Sequence, residues 1–223
     1  TSVGSIDSAG SVNTDAGFSI ISFTDGGSNA TIAHGLGVVP KAIIIKNRAA
    51  GEDWYSYWQP LGNDKQLRLS STAAVADAGS MWNDTTPTSS VFSLDTNTAG
   101  LSSGNYISYC FAEKKGYSKF GSFIGNVNSD GNFVYLGFKP AFVIMKLYGQ
   151  TGDWWMWDNK RNTANPITKG LKPNTNSAES TPYTAAMDFL SNGFKLRVGG
   201  SDINRSTGLI YMAFAEQPFV TST

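Results

Sequence analysis

The sequence predicts an all-β protein of duplicated β-sandwich or jelly-roll-like units, two repeats of about 100 residues packed together. Three observations predict it. Short β-branched or aromatic runs alternate with turns rich in Gly, Asn, Asp and Ser. Nowhere does an i, i+3, i+4, i+7 apolar pattern persist for three turns. And the chain repeats itself. Residues 137–157 read GFKPAFVIMKLYGQTGDWWMW, and residues 37–57 read GVVPKAIIIKNRAAGEDWYSY. Gly37, Pro40, Ile44, Lys46, Asp53 and Trp54 answer Gly137, Pro140, Ile144, Lys146, Asp153 and Trp154. The apolar run 106–113 answers 209–216. So long a period lies outside the usual solenoid range and marks a duplicated domain. The expected divisions are a linker or leaning strand at 1–17, a first β repeat at 18–116 and a second at 117–220.

Taken in order, residues 1–17 are small and polar, with few large apolar groups. Residues 18–23 and 29–32 read as strands around the turn Asp25-Gly26-Gly27. Residues 42–46 are too short and too β-branched for a helix, and read as a central strand buried on both faces. An aromatic strand follows at 53–58, and QLRLS at 66–70 alternates as a half-buried strand does. Residues 72–87 read as a long loop, with 73–78 the nearest approach to a helix. Residues 91–94 and 106–113 are strands separated by a turn-rich stretch. The second repeat places strands at 119–124, 132–136, 141–147, 154–157, 194–198 and 209–216. Residues 158–182 are polar and proline-bearing, hence a loop with at most one short strand, and Asn192-Gly193 is a turn signal.

Composition narrows the function. Lys plus Arg equals Asp plus Glu at 17 each, so no basic face exists on the scale a nucleic acid backbone requires. Charged residues are only 15%, as suits many turns and a neutral polar surface. The longest apolar run is short of a membrane span. No leader is visible, but the first residue is not Met, which leaves an upstream part open. Cys110, the single cysteine, lies in an apolar run and reads as an inert buried thiol. With one cysteine and one histidine, His34, triad and zinc readings are poor. Asn128 to Asn132 and Asp95-Thr96-Asn97 offer oxygen ligands for calcium, but turn chemistry accounts for both, and no cofactor is expected.

Five carboxyls are candidates for hydrolytic chemistry: Asp53, Asp153, Asp158, Glu113 and Glu216. Asp53 and Asp153 read more simply as turn residues entering aromatic strands. Glu113 and Glu216 read as acceptors at strand ends, tied to Lys46 or Lys146. The aromatic clusters are the best functional candidates. Trp54, Ser56 and Trp58 share one strand face and Tyr55 and Tyr57 the other, while Trp155 and Trp157 share a face in the second repeat. Three roles stay open for these rings: core packing, a subunit interface or an exposed ligand platform. Flat rings beside Asp, Asn and Arg suit sugars, whose C–H faces stack and whose hydroxyls need partners. The candidate ligand residues are therefore Asp53, Trp54, Tyr55, Trp58, Asp153, Trp154, Trp155, Trp157 and Arg161, with polar help from Asn162 and Asn165.

The phrases SNATIAHGLGVVPK, MWNDTTPTSSVFSL, SYCFAEKKGYSKFGSFIGN, DFLSNGFKLR and IYMAFAEQPF carry a resemblance. They resemble a family of repeat domains in tail-fibre-like virion proteins of tailed bacteriophages, many of them marine. The resemblance covers residues 17–219. It implies a virion surface protein at a fibre tip or on the head and does not imply an enzyme. Together with the aromatic clusters, the first expectation is a non-enzymatic surface domain whose partners are a host cell-surface glycan or receptor and other virion proteins. By analogy it implies a homo-oligomer, a trimer. A structural shaft or decoration module, its aromatic faces buried between subunits, is the alternative, and a glycan depolymerase the third.

Overall fold

The computed structural model describes residues 3–95 and 101–218. Every regular element longer than one turn is a strand, and all the pairing is antiparallel. The chain divides into two compact units: Thr1–Ser70 with Val75–Glu113, and Ser71–Ala74 with Lys114–Thr223.

In the first unit the strands are β1 (Ser8–Asn13), β2 (Phe18–Asp25), β3 (Ala30–Ala33), β4 (Ala42–Asn47), β5 (Tyr55–Trp58), β6 (Lys65–Arg68), β7 (Ala76–Asp77), β8 (Val91–Leu94) and β9 (Gly104–Phe111). The large sheet runs β1-β2-β9-β4-β5-β6-β7, and β3-β8 forms a second, two-stranded sheet. Ile21, Phe23, Ile43, Ile45, Tyr55, Tyr57 and Tyr106 of the large sheet share a core with Ile32, Phe92 and Leu94 of the small one. This is the sandwich arrangement the alternating pattern predicts. The leaning segment at 1–17 contains β1, which pairs with β2 along its whole length. No helix forms at 73–78, where Ala76 and Asp77 make the short edge strand β7. In the expected loop 72–87, Met81 and Trp82 are fully buried in the core.

In the second unit the strands are β10 (Ser118–Ile124), β11 (Phe133–Tyr135), β12 (Pro140–Leu147), β13 (Trp154–Asp158), β14 (Met187–Leu190), β15 (Gly193–Leu196) and β16 (Gly208–Ala215). One sheet runs β10-β16-β12-β13 and the other β11-β15-β14. The order β2-β9-β4-β5 of the first unit is therefore the order β10-β16-β12-β13 of the second, element for element under the sequence offset. Val143, Met145, Leu147, Trp155, Trp157, Leu209 and Tyr211 of one sheet meet Met187, Phe189, Phe194 and Leu196 of the other in the core. Strand β14 is new: residues 187–190 pair with β15 through a two-residue turn, Ser191-Asn192, with Gly193 already in the ladder. A Cβ at Gly193 would lie 2.1 Å from the Val134 carbonyl oxygen, so the close approach of β11 demands glycine there. Both β4 and β12 lie between two partners, and Ile43, Ile45, Val143 and Met145 are at most 1% exposed.

Candidate ligand cleft

The aromatic strands do not form an exposed platform. Tyr55 and Tyr57 point into the first core, and Trp58, on the opposite face, is equally buried, its indole N–H donating to Ser56 Oγ at 3.0 Å. Trp54 is half-buried against Tyr109, ring centroids 6.1 Å apart. Trp155 and Trp157 stack at 5.6 Å inside the second core, and Trp154 is buried on the other face. Of the roles left open, the ligand platform is the one that fails, for a physical reason. Alternation in a strand assigns two faces, and here both faces are covered. Of the aromatic candidates, all but Trp54 are at most 5% exposed and serve packing.

The charged candidates are committed to turns. Ser70 Oγ donates to Asp53 at 2.7 Å and accepts the Trp54 N–H, and Arg68 pairs with Asp53 at 3.2 Å. In the second unit Asn174 Nδ2 donates to Asp153 at 2.9 Å while its Oδ1 accepts the Trp154 N–H, and Lys172 pairs with Asp153 at 2.6 Å. Burial opposes ionisation of Asp153, but hydrogen bonds from Lys172 and Asn174 outweigh it and hold the carboxyl below its usual range. Asp158 behaves alike: burial is overcome by the backbone and guanidinium N–H groups of Arg161. Arg161 is thereby fixed on Asp158 and Glu179.

Lys46 and Lys146 are not tied to Glu113 or Glu216. Lys46 Nζ donates to the carbonyls of Ala50 and Glu52, and Lys146 Nζ to those of Gly152 and Thr72. Each lysine closes the turn that follows its own strand. His34 is fully buried, with Nε2–H on the Thr88 carbonyl and Nδ1 accepting the Leu36 N–H. Burial lowers its pKa despite that carbonyl, so the ring stays neutral. Cys110 is wholly buried and its thiol is pushed up to about 12 by burial. The Asn128–Asp130 turn is knitted by its own side chains, with Asp130 on Lys195 at 2.8 Å. Thr96 and Asn97 lie outside the described residues. Among the described residues, no three His, Cys, Asp or Glu side chains gather as a metal-holding group.

What the second unit does offer is a polar cleft of about 180 Å³. Three strand ends build it. Lys139 precedes β12, Asn159 follows β13 and Glu216 follows β16. Backbone bonds from Glu216 N to Lys139 O at 2.9 Å and from Asn159 N to Ala141 O at 3.0 Å bring those ends together. The loop after β13 supplies Asn162 and Asn165, and β14 supplies Phe189. Asn165 bonds Phe189 as a neighbouring strand would, donating Nδ2 to its carbonyl and accepting its N–H.

The cleft is lined mainly by hydrogen-bonding side chains. Glu216 accepts from Asn159 Nδ2 at 2.7 Å and from Lys139 Nζ at 2.8 Å. This orients the Asn159 amide, and its Oδ1 is left buried with no hydrogen-bond partner among the described residues. A buried acceptor without a donor costs about 1–3 kcal/mol. The volume is below the roughly 300–1,000 Å³ of most small-molecule pockets and suits a single ring or a chain end. Among the described residues, Glu216 is the one carboxyl that lines it.

Residues 1–218 match the family described as Domain of unknown function (DUF7483). The chain belongs to this family. No curated protein and no solved structure matches it. In this DUF7483 chain, sequence reasoning named Asn162 and Asn165 as polar neighbours of an aromatic platform and Glu216 as a strand-end acceptor, and it did not single out Lys139, Asn159 or Phe189. The signal was weak. Lys139 flanks β12, whose partner β16 lies far along the chain, and Asn159 follows β13, on the other side of β12.

Proposed function

We propose that this DUF7483 chain is a non-enzymatic, tail-fibre-like surface domain of a tailed-phage virion that binds a host cell-surface glycan. The observation that carries the reading is a cleft lined by an ion pair, oriented amides and Phe189. Sugar hydroxyls both donate and accept, and the amides and the Lys139–Glu216 pair offer partners of both kinds. A two-carboxylate hydrolase needs a second acid, and among the described residues the cleft lining holds one. The shared strand order of the two units supports descent of both from one ancestral domain.

A structural virion module is the second reading. It rests on Ile124, Val127, Phe133 and Tyr135, large apolar side chains 45–67% exposed within one stretch of the second unit. Both readings place the chain on the virion, in a homo-oligomer, with trimer as the expected state.

The test is binding of the labelled protein to a bacterial cell panel and a glycan array, beside Asn159→Ala and Glu216→Gln variants shown to be folded. Saturable binding that is lost in folded Asn159→Ala supports the glycan reading. A well-folded wild type that binds no cell and no glycan overturns it in favour of the structural module.

A further inference from the structure

The first unit carries a second open groove, of about 290 Å³, on the outer face of its large sheet. Phe23 and Tyr106 point inward to the core, so their neighbours Ser22, Thr24 and Asn105 point outward. Thr24 pairs with Asn105 across β2 and β9, and the Arg48 N–H bonds the Asn105 carbonyl at 2.7 Å. Thr24 on β2, Asn105 on β9 and Arg48, the residue just past β4, therefore lie in one row.

Arg48 is unlike the other arginines. Arg68, Arg161, Arg197 and Arg205 each pair with an aspartate within 3.2 Å. Arg48 is exposed and has no carboxylate partner among the described residues. The Thr24 hydroxyl donates to Asn105 Oδ1 at 2.9 Å, which fixes the amide. Asn105 Nδ2 is left without a protein acceptor among the described residues. Asp7, the one carboxylate lining the groove, is itself partnered.

We propose that this groove binds the carboxylate of an acidic sugar, a uronate. The planar guanidinium of Arg48 matches a carboxylate with two parallel N–H groups. Asn105 Nδ2 adds a donor beside it, and the Ser22 and Thr24 hydroxyls meet ring hydroxyls. The site shares no residue with the cleft of the second unit.

The test is an amide-resolved NMR titration of the full chain with sodium glucuronate, with glucose and sodium sulfate as parallel arms at fixed ionic strength. Glucuronate is expected to shift the Arg48, Asn105 and Thr24 amides saturably, and glucose to leave them unmoved. Affinity is expected to fall at least about tenfold in Arg48→Ala, with Arg48→Lys between that variant and wild type. Absence of a saturable shift, or Arg48→Ala binding as tightly as wild type, overturns the proposal. Sulfate binding as tightly as glucuronate overturns the sugar-acid assignment. Asn159→Ala is expected to leave this titration unchanged, so the fates of the two sites are read separately.

Discussion

Lys172 Nζ lies 2.6 Å from the Asp153 carboxylate. The same ammonium sits 4.8 Å from the centroid of the Trp155 ring. In the first unit Arg68 does both jobs, pairing with Asp53 at 3.2 Å and lying 5.5 Å from the Tyr55 centroid. A cation on the neighbouring segment thus pins the aspartate at the head of each aromatic strand and caps the ring two residues after it, Tyr55 or Trp155.

This arrangement predicts an acid-sensitive contribution to stability. Asp153 has a folded pKa below its unfolded value of about 3.9, so its contribution is present above that value and is lost as pH falls through the folded pKa. Lys172→Ala is expected to cost about 1 kcal/mol at neutral pH, because the pair is partly exposed. It is also expected to flatten the acid limb. Urea titrations of wild type and variant at several acidic pH values check both, and parallel acid limbs would refute the assignment.

The buried tryptophans predict a structural phenotype. Trp157 is fully buried and stacked on Trp155 in the second core, and Phe/Trp→Ala changes in cores cost about 3–5 kcal/mol. Trp157→Ala is expected to shift the urea midpoint by that amount or to leave the chain unfolded. Loss of ligand binding in a Trp157 variant of undiminished stability would contradict the packing role.

A strained turn predicts a gain. Val127 adopts φ 62, a left-handed conformation that β-branched residues rarely take. Fully buried Asn204 holds the turn, accepting from the Asn126 and Val127 N–H groups and donating to the Asn128 and Val198 carbonyls. Val127→Gly removes the Cβ conflict and is expected to stabilise by about 1 kcal/mol, whereas Asn204→Ala is expected to cost about 2–4 kcal/mol. Equilibrium unfolding of both variants checks the opposed signs.

Much of this fold is legible in the sequence, and the reason is local. AIIIK and AFVIMK are short and β-branched or bulky throughout, which only a central strand accommodates, and β4 and β12 are central. The apolar run around Cys110 places that thiol inside. What is not legible depends on long-range pairing. Strand β14 is four residues long, and its ladder with β15 is recognisable only once the Ser191-Asn192 turn is known. The rings of β5 and β13 announce two apolar faces, but nothing in the local sequence says that both are covered. Lys46 and Lys146 look like partners for strand-end glutamates. They serve turn carbonyls instead, because each sits at the mouth of its own hairpin. The cleft is hidden for the same reason: Lys139, Asn159 and Glu216 meet only through the β13-β12-β16 order.

Lys146 yields the last prediction. Its side chain is fully buried, and Nζ donates to the Gly152 and Thr72 carbonyls. Burial lowers its pKa to about 8, against the partial support of Asp153 and Asp202. The unfolded chain titrates this group near 10.5. Between those two values the unfolded state binds more protons than the folded state, so the contribution of Lys146 to stability rises with pH. The buried tyrosines oppose the trend, since burial raises the pKa of Tyr57 and Tyr183 and their contribution falls as pH climbs above the unfolded value. The measurement is therefore a difference. The stability of wild type minus that of Lys146→Met is expected to increase from pH 8 to pH 10, because the methionine keeps the bulk and removes the proton. A constant or shrinking difference across that window would show that Lys146 is fully charged in the folded chain.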